Sequence, residues 1–193
     1  MNDGAHAFGS RALSREDVAG KDILEAGSYN VNGSLSDWVN GHGPRSYVRI
    51  DKREGPDVDK VLDVCSVLDE YGAESFDVVF STEMLEHVKD WVGAVTNMKD
   101  AVRPGGIVVL TARAPGATRH DHPEDYWRFS QAAMKQIFAD WEVEMLEDDP
   151  SARNGKRSKS GVFVKARKPK GPHTPIVLDG RWAMPAPQTA GDA

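Results

Sequence analysis

Two stretches of the sequence pair residue types that can hold a nucleoside. Gly27 lies in the run Glu25-Ala26-Gly27-Ser28-Tyr29-Asn30, and Asp51 closes the run Tyr47-Val48-Arg49-Ile50-Asp51, 24 positions after Gly27. A glycine lets main chain turn close past a ligand, and Asn32-Gly33 a little further on permits left-handed dihedrals. An acid about 20 residues beyond such a turn suits the two vicinal hydroxyls of a ribose, one for each carboxylate oxygen. Each feature alone also has a plain structural reading, as a packing turn or a turn-capping aspartate. A dinucleotide site is disfavoured. It wants G-x-G-x-x-G, so that a helix N-terminus meets pyrophosphate, and Tyr29 and Asn30 fill the crowded positions.

A second reactive stretch spans residues 113–129 and is dense in titratable and aromatic groups. His120 is the candidate general base, because an imidazole with a reference pKa of about 6.5 is neutral often enough to accept a hydroxyl proton. Asp121 or Asp125 would orient it. His122, Tyr126, Trp127 and Arg128 form a candidate substrate wall, in which Arg128 would pair a carboxylate or phosphate. The blander alternatives are a hydrogen-bonded surface loop and a buried lid. His120, Asp121 and His122 are ligand types for a divalent ion, but adjacent residues rarely converge unaided, and no metal site is expected. His87, next to Glu86, reads as a structural residue that orders its surroundings.

These residues need elements to position them. Apolar or β-branched runs predict strands over 22–26, 47–51, 61–64, 76–81 and 107–112. Met84, Val88, Trp91, Val92, Val95, Met98 and Val102 recur at spacings of three and four, which predicts one long helix stopped by Arg103-Pro104-Gly105-Gly106. Ser130 is the expected N-cap of a shorter helix with Met134, Ile137 and Phe138 facing inward. Only eight residues, 52–59, separate the second and third strands, so a tight connection without a full helix is expected there. Trp141, Val143 and Met145 alternate with glutamates, and residues 161–166 supply an antiparallel partner. The expected fold is therefore α/β, a doubly wound, Rossmann-like, mostly parallel sheet with an antiparallel C-terminal hairpin, whose ligands lie beyond the strand carboxyl ends.

Composition narrows the setting. With 193 residues the chain fits one core, organised as an N-terminal extension over 1–20, a main domain over 21–168 and a Pro-rich tail over 169–193 that Trp182 could anchor. No run of about 18 apolar residues and no signal-like start occur, so a cytoplasmic location is expected. The lone Cys65 cannot form an intrachain disulfide. Net charge is −6, yet residues 151–172 carry +8 and leave −14 on the remainder. An acidic body argues against nucleic acid as a partner, and the basic stretch lacks the aromatic platform that single strands want.

Four ordered motifs together resemble the class I S-adenosylmethionine (SAM)-dependent methyltransferase family. They are Glu25 to Ser34, Tyr47 to Asp51 leading to Gly55-Pro56-Asp57, Phe76 to Ser81 followed by Glu83-Met84-Leu85-Glu86-His87-Val88, and Val102-Arg103-Pro104-Gly105-Gly106. One departure stands out: Tyr29 occupies the position of the usual second glycine. The resemblance implies SAM as cofactor. Glu25, Gly27, Ser28 and Tyr29 would approach its amino-acid end, Asp51 its ribose and Lys52 the adenine rim. Asp63, Val64 and Cys65 would line the adenine, and Ser81, Thr82 and Glu83 would close the pocket. The implied activity is methyl transfer, with a hydroxyl of a small molecule or sugar as acceptor and His120 as base. RNA methylation and a catalytically silent SAM-binding module are the alternatives.

Overall fold

The computed structural model describes residues 3–121, 124–149 and 161–188. A seven-stranded sheet forms the centre, built from β1 (Asp22–Ala26), β2 (Ser46–Asp51), β3 (Lys60–Val61), β4 (Phe76–Thr82), β5 (Val102–Arg113), β7 (Glu142–Asp148) and β8 (Gly161–Arg167), in the order β3-β2-β1-β4-β5-β8-β7. The first five are mutually parallel, and β8 runs antiparallel to both β5 and β7. The strand order reverses between β1 and β4, which places the switch point where the sequence puts Gly27 and Thr82.

The terminal hairpin is arranged inside out relative to chain order, with the later strand β8 lying between β5 and β7. Burial explains this. β8 reads Gly-Val-Phe-Val-Lys-Ala-Arg and is buried almost throughout, whereas β7 alternates glutamates with apolar residues and suits an edge. The one lysine in β8, Lys165, is neutralised by Asp17 at 2.8 Å and Glu144 at 3.1 Å.

Alternation along the strands gives two apolar layers. Ile23, Val78, Phe80, Ile107, Val109 and Phe163 meet α1 (Asp3–Ala12) and α3 (Ser36–Gly41) through Ala5, Phe8, Ala12, Leu35 and Val39. Leu24, Val79, Val108, Leu110, Val162 and Val164 meet α4 (Val67–Tyr71), α5 (Trp91–Ala101) and α6 (Gln131–Ile137). Residues 3–12, assigned to an N-terminal extension by composition, thus form a helix whose Phe8 packs 5.2 Å from Phe163. A short α2 (Arg15–Val18) follows, closed by a Ser14/Asp17 capping box.

The single long helix expected from Met84 onward is two elements. A 3-10 turn spans Leu85–His87, and α5 begins only at Trp91, where Asp90 accepts the Gly93 N–H at 2.9 Å. Asp90 offers that carboxylate at a residue with non-helical dihedrals, so a cap interrupts the periodic stripe. The expected third strand is only Lys60–Val61, because Asp63 caps a second 3-10 turn over Val64–Ser66. Ser130 caps α6 through the Ala133 N–H as expected, and Met134, Ile137 and Phe138 are fully buried. The Pro-rich tail returns to the body. Its β9 (Met184–Pro185) pairs with β6 (Trp127–Arg128), and Trp182 packs on the larger core. The basic residues 153–160 lie outside the described residues.

Candidate active site

A cleft of about 1010 Å³ opens beyond the carboxyl ends of β1, β2 and β4. The chain turns away from β1 at Gly27, whose φ of 78° falls in the left-handed region and whose missing Cβ would lie 2.6 Å from the Met84 Cβ. The N–H groups of Gly27 and Ser28 both donate to the Ile50 carbonyl, at 2.9 and 3.0 Å, so the turn is tied to β2 beside it.

Tyr29 and Asn30 replace a glycine-rich turn with a clasp between two loops. The Arg53 guanidinium lies 4.6 Å from the Tyr29 ring centroid, and the ring covers Gly55 so closely that a side chain there has no room. Asn30 Nδ2 donates to Asp57 at 2.7 Å, and Asp57 and Asp59 hold Arg49 at 2.9 and 2.7 Å. Asp51 sits at the junction. Its Oδ1 accepts the Arg53 N–H at 2.9 Å, and its Oδ2 accepts the Tyr29 N–H at 3.4 Å.

Of the twelve residues expected around a cofactor, eight line this one cleft: Gly27, Tyr29, Asp51, Lys52, Asp63, Val64, Thr82 and Glu83. Glu25, Ser28, Cys65 and Ser81 do not. Strand alternation turns Glu25 to the α3 face, where its carboxyl accepts the Tyr47 hydroxyl beside Arg49, and burial raises its pKa to about 7. Ser28 and Ser81 are buried, and their Oγ atoms have no hydrogen-bond partner among the described residues. Cys65 lies in the 3-10 turn, where burial and the adjacent Asp63 push its thiol up to about 12.

Beyond Thr82 the cleft floor is acidic. Glu83 has a left-handed φ of 54°, held by bonds from its N–H to the Thr111 carbonyl and Oγ1 at 3.0 and 3.1 Å. Glu86 and Arg113 join it in the lining, as do His87, Thr118, His120 and Asp121. His87 donates from Nδ1 to the Glu124 carbonyl, which fixes its tautomer, and burial lowers its pKa, which favours the neutral ring. Its ring lies 5.8 Å from that of His120. Sequence reasoning placed Glu86 and His87 on a helix and left Arg113 without a role. The signal available was the position of Glu86-His87 just past the fourth strand and of Arg113 at the end of the fifth.

His120 is thus on the cleft wall, with both candidate aspartates engaged nearby. Asp125 Oδ2 accepts the His120 backbone N–H at 2.7 Å, and Asp121 is bonded to Arg119 at 2.8 Å. Tyr126, Trp127 and Arg128 do not line the cleft. Arg128 is buried and saturated: Nη2 donates to Asp125 Oδ2 at 2.6 Å and to the Thr118 carbonyl at 2.9 Å. Trp127 donates to the Val88 and Lys89 carbonyls at 3.1 Å, and Tyr126 to Glu124. All three fasten the loop on which His120 stands. His122 lies outside the described residues, among which no His, Cys, Asp and Glu group forms a metal-binding cluster. No helix among them is long and apolar enough to cross a membrane.

Residues 5–148 match a family of methyltransferase domains. Solved structures share the fold at low identity. The 1,6-didemethyltoxoflavin-N1-methyltransferase of Burkholderia thailandensis, bound to 1,6-didemethyltoxoflavin and S-adenosylhomocysteine, superposes with a TM-score of 0.64 at 16% identity, covering 87% of this chain and 80% of that one. The N-methyltransferase NodS of Bradyrhizobium japonicum gives 0.63 at 18%, over 85% and 94%. The [4+2]-cyclase SpnF gives 0.65 at 15%, over 89% and 86%. No curated protein matches the sequence.

Proposed function

The chain belongs to that family of methyltransferase domains, and from this premise we propose that it transfers a methyl group from SAM to a hydroxyl of a small molecule or sugar by in-line displacement. The observation that carries the proposal is the meeting of the Gly27–Tyr29 turn with the Asp51 carboxylate on one rim of a single cleft. The lining suits the cofactor part by part. Ile50, Leu62 and Val64 offer apolar walls to a purine, with Asp63 beside them and Lys52 at the rim. Asp51 keeps lone pairs for two ribose hydroxyls. The main chain at Gly27 meets the amino-acid end, and Thr82 and Glu83 close the pocket. Bound there, SAM supplies an activated methyl carbon.

The chain's own residues then align the acceptor, exclude water and take its proton. His120 is the proposed base, standing on a loop made rigid by the Asp125–Arg128 pair. A nitrogen acceptor is the second reading, favoured by the acidic floor at Glu83 and Glu86, which suits a cationic amine. RNA is disfavoured by the charge of −14 outside the basic stretch.

Calorimetry with S-adenosylhomocysteine and with NAD tests the cofactor, and the expected result is binding of the first alone. Release of S-adenosylhomocysteine from SAM in the presence of hydroxyl- and amine-bearing small molecules tests the acceptor. His120→Ala is expected to slow transfer to a hydroxyl about 10²- to 10⁴-fold without changing cofactor affinity. Transfer to amines alone would reject the hydroxyl, and an undiminished rate would remove His120 as the base.

A further inference from the structure

Glu86 is fully buried, yet it lines the cleft, and no hydrogen bond from another described residue reaches either of its carboxyl oxygens. His87 Nε2 lies 3.9 Å from Oε1, beyond hydrogen-bond reach. Three residues earlier, Glu83 reaches the same cleft from a left-handed backbone position. A buried carboxyl left without donors is destabilising unless something that arrives later uses it.

We infer that Glu83 and Glu86 form a buried acidic floor that faces the sulfonium of bound SAM and, once that positive charge is gone, receives the proton that His120 has taken from the acceptor. The inference rests on the SAM reading above. Methyl transfer removes one positive charge from the cleft and liberates one proton. The nucleophile's lone pair forms the new bond to the methyl carbon, the electron pair of the broken C–S bond stays on sulfur, and the nucleophile's proton must go to a base. That base is His120, and a carboxylate held ionised by the sulfonium becomes able to receive the proton from it when the sulfur turns neutral.

The surroundings agree with this role. Burial and then the neighbouring Glu86 carboxyl hold Glu83 well above the usual carboxylate range, and burial does the same for Glu86. Arg113, at the end of β5, is the cation that opposes this effect on both, and Arg128 adds to it at Glu86. Asp125 and Asp149 reinforce the negative field, at Glu86 and Glu83 respectively. His87 and His120 stand on the adjoining wall, the first tautomerically fixed by its bond to the Glu124 carbonyl and with a pKa that burial lowers.

The test needs no acceptor. SAM and S-adenosylhomocysteine are titrated calorimetrically into the full chain near neutral pH, in two buffers of different ionisation heat, and the protons released on binding are counted. SAM is expected to expel up to about one proton more than S-adenosylhomocysteine, since only the charged ligand drives the carboxyls to ionise. Glu86→Gln and Glu83→Gln are each expected to shrink that difference and to reduce the preference for SAM over S-adenosylhomocysteine about tenfold, the equivalent of one pKa unit. Equal proton counts for the two ligands in the unmodified chain would overturn the inference while leaving the cofactor assignment intact. Binding of neither ligand would overturn the assignment itself, and the inference with it. If an amide variant does not fold, the count on the unmodified chain decides.

Discussion

Asp51 Oδ2 accepts the backbone N–H of Tyr29 at 3.4 Å, across the gap between the end of β2 and the turn after β1. One carboxylate therefore braces the loop in which Tyr29 replaces a glycine, and it also lines the cleft. Asp51→Ala is expected to weaken S-adenosylhomocysteine binding by about ten- to a hundredfold, the range for losing a hydrogen bond to a charged group. Calorimetry measures it, and an unchanged dissociation constant would take Asp51 away from the ribose.

Gly27 answers two demands at once, a φ of 78° and the closeness of Met84. Gly27→Ala strains the backbone and pushes a methyl group into the Met84 side chain. A loss of about 1–3 kcal/mol is expected, the usual scale for a non-glycine residue held in such a region. Gly41, with a negative φ and open space around it, serves as the control for alanine substitution. Denaturant unfolding of both variants makes the comparison, and equal midpoints would remove the steric argument.

The Asp125–Arg128 pair is almost wholly buried and also holds the His120 backbone. Removing one partner leaves a buried charge without its counterion. Arg128→Ala is accordingly expected to destabilise the protein by about 3–5 kcal/mol, and Arg128→Met combined with Asp125→Leu to recover much of that loss. A double variant as unstable as the single one would show that packing, not charge, is what Arg128 contributes.

Burial raises Glu25 from the usual carboxyl range to about 7, against the opposing effect of the Tyr47 hydroxyl. The folded chain then binds more protons at this position than the unfolded chain does between its unfolded pKa and about 7. With that sign, the contribution of Glu25 to stability falls as pH rises through this window. Glu25→Gln should flatten the slope there, as read from unfolding midpoints across the range. A slope left unchanged would mean that Glu25 titrates normally.

Much of this was legible in the residues themselves. β1, β2 and β4 begin and end within a residue of the expected limits, Ser130 caps α6, and Gly27 and Asp51 reach the same cleft. These features depend on near neighbours in the chain, on alternation, on a cap three residues away, or on the left-handed backbone at Gly27. Tertiary structure decided the rest. β8 displaced β7 from the interior because it is the more apolar strand, a choice made between segments separated in sequence. α1 joined the core because Phe8 found Phe163, more than 150 positions away. Tyr126, Trp127 and Arg128 looked like a substrate wall by chemical type, and became a fastening because Arg128 had Asp125 and two loop carbonyls within reach. Glu83, Glu86 and Arg113 come from a strand end, a 3-10 turn and a neighbouring strand. Nothing local marks them as one group, since a buried charge acquires its chemistry from the partners that folding brings or withholds.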